Sequence, residues 1–234
     1  MHSNSSDIAR ALAEASRTMN VPRSLEDVLD AIVQTAVRSV PGFDHVGISV
    51  VHKDGRIQTM SGTDQLVWEL DELQYELGEG PCVDAIAIAP VMLVERARDD
   101  PRWPRYMPEA VRRGLRAQLG LRLYVDDQTL GGLNLYSTRS ETIDRDAVHL
   151  AELFATHAAL ALGRSRSEDH LNEAIASRKV IGQAIGIISE RYEITGDRAF
   201  QFLVRASQSA NLKLRLIAQD VVDSTDEKHG GAQA

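Results

Sequence analysis

The last third of the chain carries cationic, aromatic and amide side chains of the kind that bind single-stranded nucleic acid. Aromatic rings and guanidinium planes stack on unpaired bases, and lysine and arginine neutralise phosphates. The candidates for such contacts are Arg178, Lys179, Gly186, Arg191, Tyr192, Arg205, Gln208, Asn211, Lys213 and Arg215. Gly186 is included because it lies one helical turn after Gly182. Two glycines at this spacing admit another backbone, or they only let helices pack closely.

The charge of this segment differs from that of the whole chain. Seven basic and three acidic side chains lie between Arg178 and Ala218, a net charge of +4, whereas the whole chain carries −8. The acidic total argues against indiscriminate binding to nucleic acid, so affinity would depend on RNA shape and on two binding units acting together. The other interpretation of the basic segment is a solvated helical face.

Cys82 is the most distinctive residue of the first half. It follows Gly80 and Pro81, which are typical of a helix cap and of the first helical position. A thiol in the first turn lies near the positive end of the helix dipole, which lowers its pKa, so Cys82 is a candidate redox sensor or ligand contact. Glu79 and Asp84 oppose a thiolate, and an unpaired cysteine is usually buried and inert, which is the interpretation we favour.

A loop over residues 99–106, stiffened by two prolines, offers aromatic and cationic groups. Trp103 and Tyr106 from this loop, with Arg116 downstream, are candidates to line a small-molecule pocket. The alternative is a structural loop that Trp103 anchors to the core. No motif identifies a ligand, so the cofactor is unknown.

Motifs for catalysis or metal binding do not occur in the sequence. It contains no Walker loop, no nucleophile elbow and no histidine–cysteine set at metal-ligand spacing, and its single cysteine excludes a disulfide framework. We therefore predict no catalytic residue, no metal site and no enzymatic activity. The longest mostly apolar stretch, Ala85–Val94, is too short to cross a membrane, and the polar start of the chain is no signal peptide. We expect a cytoplasmic protein.

The elements that position these residues follow from periodicity. Apolar residues at helical spacing predict an N-terminal helix within residues 1–23 and a second helix that Ser24 and Asp27 begin with a capping box. Alternation from Val46 onward, followed by Asp54-Gly55, predicts a β-hairpin. Further strands are predicted at 91–94, 118–125 and 130–137, with helices at 68–77, 83–89 and 106–114. Antiparallel strands with helices around them make an α+β domain.

The chain after Asp144 is predicted to be helical. Residues at a rough three- and four-residue spacing form a mostly apolar stripe, namely Leu150, Leu153, His157, Leu160, Leu171, Ala174 and Ile181. This long helix pairs with its copy in a homodimer, or it is a solvated connector, because Arg164 and Ser167 make its middle polar.

Three helices are predicted in the last part of the chain. The first ends near Arg191, the second covers 197–210 between the caps Thr195 and Asn211, and the third covers 214–222. Residues 164–176 form a linker helix in this interpretation, and residues 225–234 form a disordered tail.

Two sequence stretches in the front part indicate a family. These are Gly78-Glu79-Gly80-Pro81-Cys82-Val83-Asp84 and Gly131-Gly132-Leu133-Asn134-Leu135-Tyr136. With the order of elements around them, residues 24–163 resemble a GAF domain of the actinobacterial type. The resemblance implies a PAS-like antiparallel sheet with flanking helices and either a small-molecule pocket or a dimer surface, but it does not identify a ligand.

A longer set of residues indicates a second family. The set is Ile181-Gly182-Gln183-Ala184-Ile185-Gly186-Ile187-Ile188, Arg191-Tyr192, Ala199-Phe200, Leu203, Arg205-Ala206, Asn211, Lys213-Leu214 and Ala218. Residues 172–224 thereby resemble an ANTAR domain, a small three-helix RNA-binding module of antitermination regulators. The resemblance implies a dimer that binds paired RNA hairpins with hexanucleotide loops and so disfavours a competing terminator. Many members have a lysine where this chain has Ile185, so a phosphate contact from that position does not carry over.

Together these patterns predict a signal-responsive RNA-binding antitermination regulator with a sensor domain in front. Two alternatives remain open at this point. Three short helices also imitate a DNA-binding helix–turn–helix unit, and Cys82 alone would suit a thiol-based redox sensor.

Overall fold

The computed structural model describes residues 24–230; of His170 and residues 226–230 it describes only the backbone. The N-terminal helix predicted within residues 1–23 lies outside the described residues. The chain separates after Ser165 into two compact units. No helix of the described chain combines the length and the apolar character needed to cross a membrane.

A five-stranded antiparallel sheet forms the centre of the first unit. Its strands are β1 (His45–Val51), β2 (Ile57–Gly62), β3 (Val91–Val94), β4 (Ala117–Val125) and β5 (Gln128–Ser137), in the spatial order β2-β1-β5-β4-β3. The hairpin predicted at Asp54-Gly55 is confirmed, and Gly55 adopts a positive φ of 85° in the turn. In the centre of the sheet Leu133 is paired with Ile48 on one side and with Leu121 on the other.

Helices cover both faces of this sheet. They are α1 (Leu25–Ser39), α2 (Gln65–Leu77), α3 (Pro81–Ala87), α4 (Tyr106–Arg112) and the start of α5 (Arg145–Tyr192). The predicted capping box of Ser24 and Asp27 begins α1, and Gly80 and Pro81 begin α3, as predicted.

The alternation of side chains along the strands separates two cores. Leu119, Leu121 and Leu133 pack with α1 and α5 in one large apolar cluster. Tyr136, on the opposite face of β5, packs with α2 and α4 in a second cluster that contains Trp103. The second face also carries polar side chains, and these form the buried site described below.

Three helical segments make up the second unit: the last part of α5, then α6 (Gly196–Ala210) and α7 (Leu214–Gly230). Thr195 caps α6 at its start and Asn211, with a φ of 52°, ends it, as predicted. Helix α7 continues to Gly230, into the segment 225–234 that the sequence predicts to be disordered. The small apolar core consists of Ala184, Ile188, Ala199, Leu203 and Ala218, with partly buried neighbours around it.

Candidate nucleic-acid interface and a buried polar cluster

The first unit contains a buried carboxyl group surrounded by hydrogen-bond donors. Helix α2 turns Asp71 toward the sheet, where the side chain is fully buried. Its Oδ1 accepts from Asn134 Nδ2 at 2.9 Å and from the Tyr136 hydroxyl, and its Oδ2 accepts from Thr59 Oγ1 at 2.7 Å. Burial raises the pKa of Asp71 to about 6, and the hydrogen bonds lower it by less. We call Thr59, Asp71, Asn134 and Tyr136 the Asp71 cluster.

Cys82 borders this cluster. Its Sγ lies 3.1 Å from Asn134 Nδ2, and its backbone N–H donates to Gln74 Oε1 at 2.9 Å. The helix start packs tightly on the sheet because Gly120 has no side chain; a Cβ there would lie 2.7 Å from the Pro81 carbonyl oxygen.

Burial, and then the Asp71 charge, raises the pKa of Cys82 to about 12. The thiol is fully buried and neutral. The prediction that the helix dipole lowers its pKa is therefore wrong, because desolvation outweighs the dipole. A reactive thiolate needs exposure as well as a low pKa, so the geometry does not support the redox-sensor alternative.

The other predicted sensor residues differ in burial. Trp103 is buried, and its Nε1–H donates to Asp84 Oδ2 at 2.9 Å, so it anchors the loop as the structural alternative proposed. Tyr106 is also buried and donates to Gln118 Oε1 at 2.8 Å. Arg116 is exposed.

A cavity of about 320 Å³ lies elsewhere in the first unit, between the β3–β4 edge of the sheet and α5. Its walls combine apolar residues with one carboxylate and one guanidinium. They are Pro90, Val91, Leu121, Arg122, Tyr124, Glu152, Ala155, Thr156 and Ala159. None of the four predicted sensor residues belongs to this lining, and the volume suits a small ligand.

The predicted nucleic-acid residues of the second unit are all exposed. Arg178 and Lys179 lie one turn before Gly182 on α5. At both Gly182 and Gly186, a Cβ would have no described atom within 4 Å apart from the adjacent residues and backbone of α5. The backbone of this helix face is open to a partner. The two glycines therefore do not serve helix packing within the described part of the chain.

The remaining candidates lie at the end of α5 and along α6 and the turn after it. Arg205 Nε–H donates to the Gln201 carbonyl oxygen at 3.3 Å, which directs the guanidinium along α6. Arg191 Nη2 lies 3.5 Å from Thr225 Oγ1. Gln208, Asn211 and Lys213 follow in the last turn of α6 and the connection to α7.

Family models match the two units in order. A GAF domain model matches residues 22–163, and an ANTAR domain model matches residues 169–222. The chain belongs to the GAF family and carries an ANTAR domain. This GAF–ANTAR architecture is that of a regulatory protein. None of the curated proteins matches the chain.

Solved structures resemble the GAF domain in fold. The GAF domain of a Coxiella burnetii phosphoenolpyruvate-protein phosphotransferase is 18% identical with a TM-score of 0.58, covering 72% of this chain and 99% of its own. The corresponding Acinetobacter domain is 13% identical with a TM-score of 0.55, covering 73% and 99%. A phycocyanobilin-bound GAF domain of a cyanobacterial phytochrome is 17% identical with a TM-score of 0.53, also covering 73% and 99%. At these identities the likeness establishes the fold alone.

Two positions of the ANTAR domain are occupied by intramolecular contacts. Ile185, which replaces the lysine of many members, packs against the small core and offers no charge. Arg215 Nη2 lies 3.8 Å from Glu173 Oε1, so a phosphate would compete with this ion pair.

Sequence reasoning missed two functional candidates in the GAF–ANTAR protein. Asp71 lies on the apolar face of α2 with Val67 and Leu70. A carboxylate on the apolar face of a helix is the sequence feature that could have indicated a buried acid. Phe202 is 48% exposed on α6, and its ring centroid lies 6.3 Å from that of Tyr192. Only the fold brings these two rings together.

Proposed function

We propose that this GAF–ANTAR protein is a cytoplasmic, signal-responsive antitermination regulator whose ANTAR domain binds paired RNA hairpins with hexanucleotide loops. The domain pair supports a regulator. That the ANTAR domain binds RNA hairpins is the more specific part of the proposal. The distribution of charge in this domain supports it.

The observation that carries the proposal is a set of cations without ion-pair partners. Between Arg178 and Ala218, basic side chains outnumber acidic ones by seven to three. In the ANTAR domain six cations have no described carboxylate within that distance, namely Arg178, Lys179, Arg191, Arg198, Arg205 and Lys213. Exposed cations that no described carboxylate neutralises are available to neutralise phosphates.

A homodimer is part of the proposal. The predicted apolar stripe of α5 contains both buried and exposed residues. Leu150 is buried in the GAF core. Leu153 and Leu160, seven residues apart, remain 41% and 56% exposed. That spacing is typical of two helices that pair along a seam.

The sensing step is assigned to the cavity beside α5. Glu152, Ala155, Thr156 and Ala159 line it from that helix. A small molecule bound there would contact α5 directly, whereas the Asp71 cluster is filled by the protein's own side chains.

The test compares ligands and variants in the same salt. The full chain should bind a labelled paired-hairpin RNA more tightly than duplex DNA of equal length. Arg205→Ala and Lys213→Ala should each weaken RNA binding and reduce the slope of log affinity against log salt by about 1. The control Arg98→Ala removes the same charge from the GAF domain and should leave binding unchanged.

Three results would contradict the proposal. Tighter binding to duplex DNA would favour the helix–turn–helix alternative. An equal loss of RNA affinity in Arg98→Ala would show that the effect depends on net charge alone. Loss of helical ellipticity in Arg205→Ala or Lys213→Ala would assign these residues a structural role.

A further inference from the structure

Two aromatic side chains form an exposed pair on the ANTAR domain. Tyr192 is 59% and Phe202 is 48% exposed, with ring centroids 6.3 Å apart and ring planes at 34°. Neither residue belongs to the apolar core of this domain or to the partly buried residues packed against it. The core therefore does not explain why two large rings face solvent next to each other.

The backbone around the pair fixes the positions of both residues. Tyr192 is the last residue of α5, and Glu193 ends that helix with a φ of 51° while the Ile194 N–H donates to the Ser189 carbonyl oxygen at 3.1 Å. Thr195 then caps α6, which carries Phe202. Because capped helix ends fix the connection, the backbone positions of the two residues are set before any partner binds.

Cations flank the pair on α6. Arg198 precedes Phe202 by four residues and Arg205 follows it by three, so the three side chains share one helix face. Both arginines are exposed, and neither lies within 4.0 Å of a carboxylate among the described side chains. The Arg205 guanidinium is directed along α6 toward the turn that contains Phe202. The acidic neighbours, Glu193 and Asp197, are adjacent in sequence to Tyr192 and Arg198.

We propose that Phe202 and Tyr192 form a stacking platform for an unpaired base of an RNA hairpin loop, with Arg198 and Arg205 on the adjoining phosphates. This inference rests on the proposed RNA-binding function and adds a specific base-contact site to it. A base stacks on an aromatic ring face, and guanidinium groups beside the ring neutralise the backbone of the same strand.

A looped-out base fits this surface better than duplex DNA does. In a duplex the base faces are covered by their neighbours, and only the edges are accessible in the grooves. An exposed ring face can stack on a base only where that base is not covered by its neighbours, as in a hairpin loop.

The experiment measures coupling between the platform and single loop positions in the full-length protein. The probes are the paired-hairpin RNA and a series in which each loop base in turn is replaced by an abasic site. Phe202→Ala should weaken binding of the intact RNA about ten- to one-hundredfold, as one abasic position should with the wild-type protein. When the protein carries Phe202→Ala, the abasic site at that position should cause no further loss of affinity. Phe202→Leu keeps apolar bulk without a ring and should bind as weakly as Phe202→Ala, whereas Phe202→Trp should restore affinity.

Leu216→Ala is the matched control, because Leu216 is an exposed apolar residue of the same domain, 42% exposed. It should bind as the wild type does. Wild-type affinity in Phe202→Ala, or full affinity in Phe202→Leu, overturns the platform while the proposed function stands. No binding of the hairpin RNA by the wild type overturns the proposed function itself. If Phe202→Ala loses as much affinity for duplex DNA as for the hairpin RNA, the surface binds DNA and the RNA platform is overturned.

Discussion

The buried Asp71 carboxyl group makes the stability of the GAF domain depend on pH. Its pKa is about 6 in the folded protein, against an ordinary value of 3.8. The folded state therefore binds a proton more tightly than the unfolded state does. Stability from this group is full below pH 3.8 and is lost as pH rises through 6.

The size of the effect follows from the two pKa values. At about 1.4 kcal/mol per pH unit, the difference corresponds to about 3 kcal/mol between strongly acidic conditions and pH 8, and roughly half of it falls above pH 5. Asp71→Asn removes the titrating group. The new amide oxygen can still accept from Asn134 and Tyr136, and the Thr59 hydroxyl can rotate to accept from the new amide N–H.

The assay is urea unfolding of the wild type and Asp71→Asn between pH 5 and pH 8. Tryptophan fluorescence reports the GAF domain alone, because both tryptophans of the chain, Trp68 and Trp103, lie in it. The difference in unfolding free energy between the two proteins cancels all other titrating groups. It should shift by about 1 to 2 kcal/mol in favour of the variant as pH rises over this range. A difference that stays constant with pH would refute the argument that burial raises this pKa.

Three further predictions concern single residues. Cys82 should not react with a thiol reagent at pH 8 in the native protein and should react at once in urea, since its thiol is buried and neutral; rapid native labelling would contradict this. Leu203→Ala should destabilise the ANTAR domain by about 2 to 5 kcal/mol in thermal unfolding followed by ellipticity, while the half-buried Val204→Ala costs less; equal losses would mean that Leu203 is not in the core. Gly182→Ala should stabilise the same domain by about 0.5 to 1 kcal/mol, because alanine loses less conformational entropy than glycine in a helix and the added methyl group has space. A lower melting temperature would show an unrecognised contact.

Periodicity in the sequence was enough for most of the elements. The hairpin at Asp54-Gly55 and the caps at Ser24, Thr195 and Asn211 are local features, and the structure confirms them. The end of the last helix was predicted too early, because a polar sequence after Val222 does not by itself stop a helix. The predicted domain boundaries and the RNA-binding roles stay predictions.

Local sequence was a poor guide to the electrostatics of Cys82. The first helical turn lowers a thiol pKa only where water or a counter-charge remains. The sheet, through Gly120 and Asn134, removes the water, and α2 supplies a negative charge at Asp71. These neighbours are distant in sequence, so no local pattern contains them.

The sequence by itself determined the α+β front domain, the helical rear domain and their families, because helix and strand periods, caps and turn residues act over a few positions. Tertiary structure alone decided which of the chemically capable residues meet. It buried Cys82 next to the Asp71 cluster and brought Phe202 beside Tyr192, since burial and contact depend on how elements pack across the chain rather than on residue spacing.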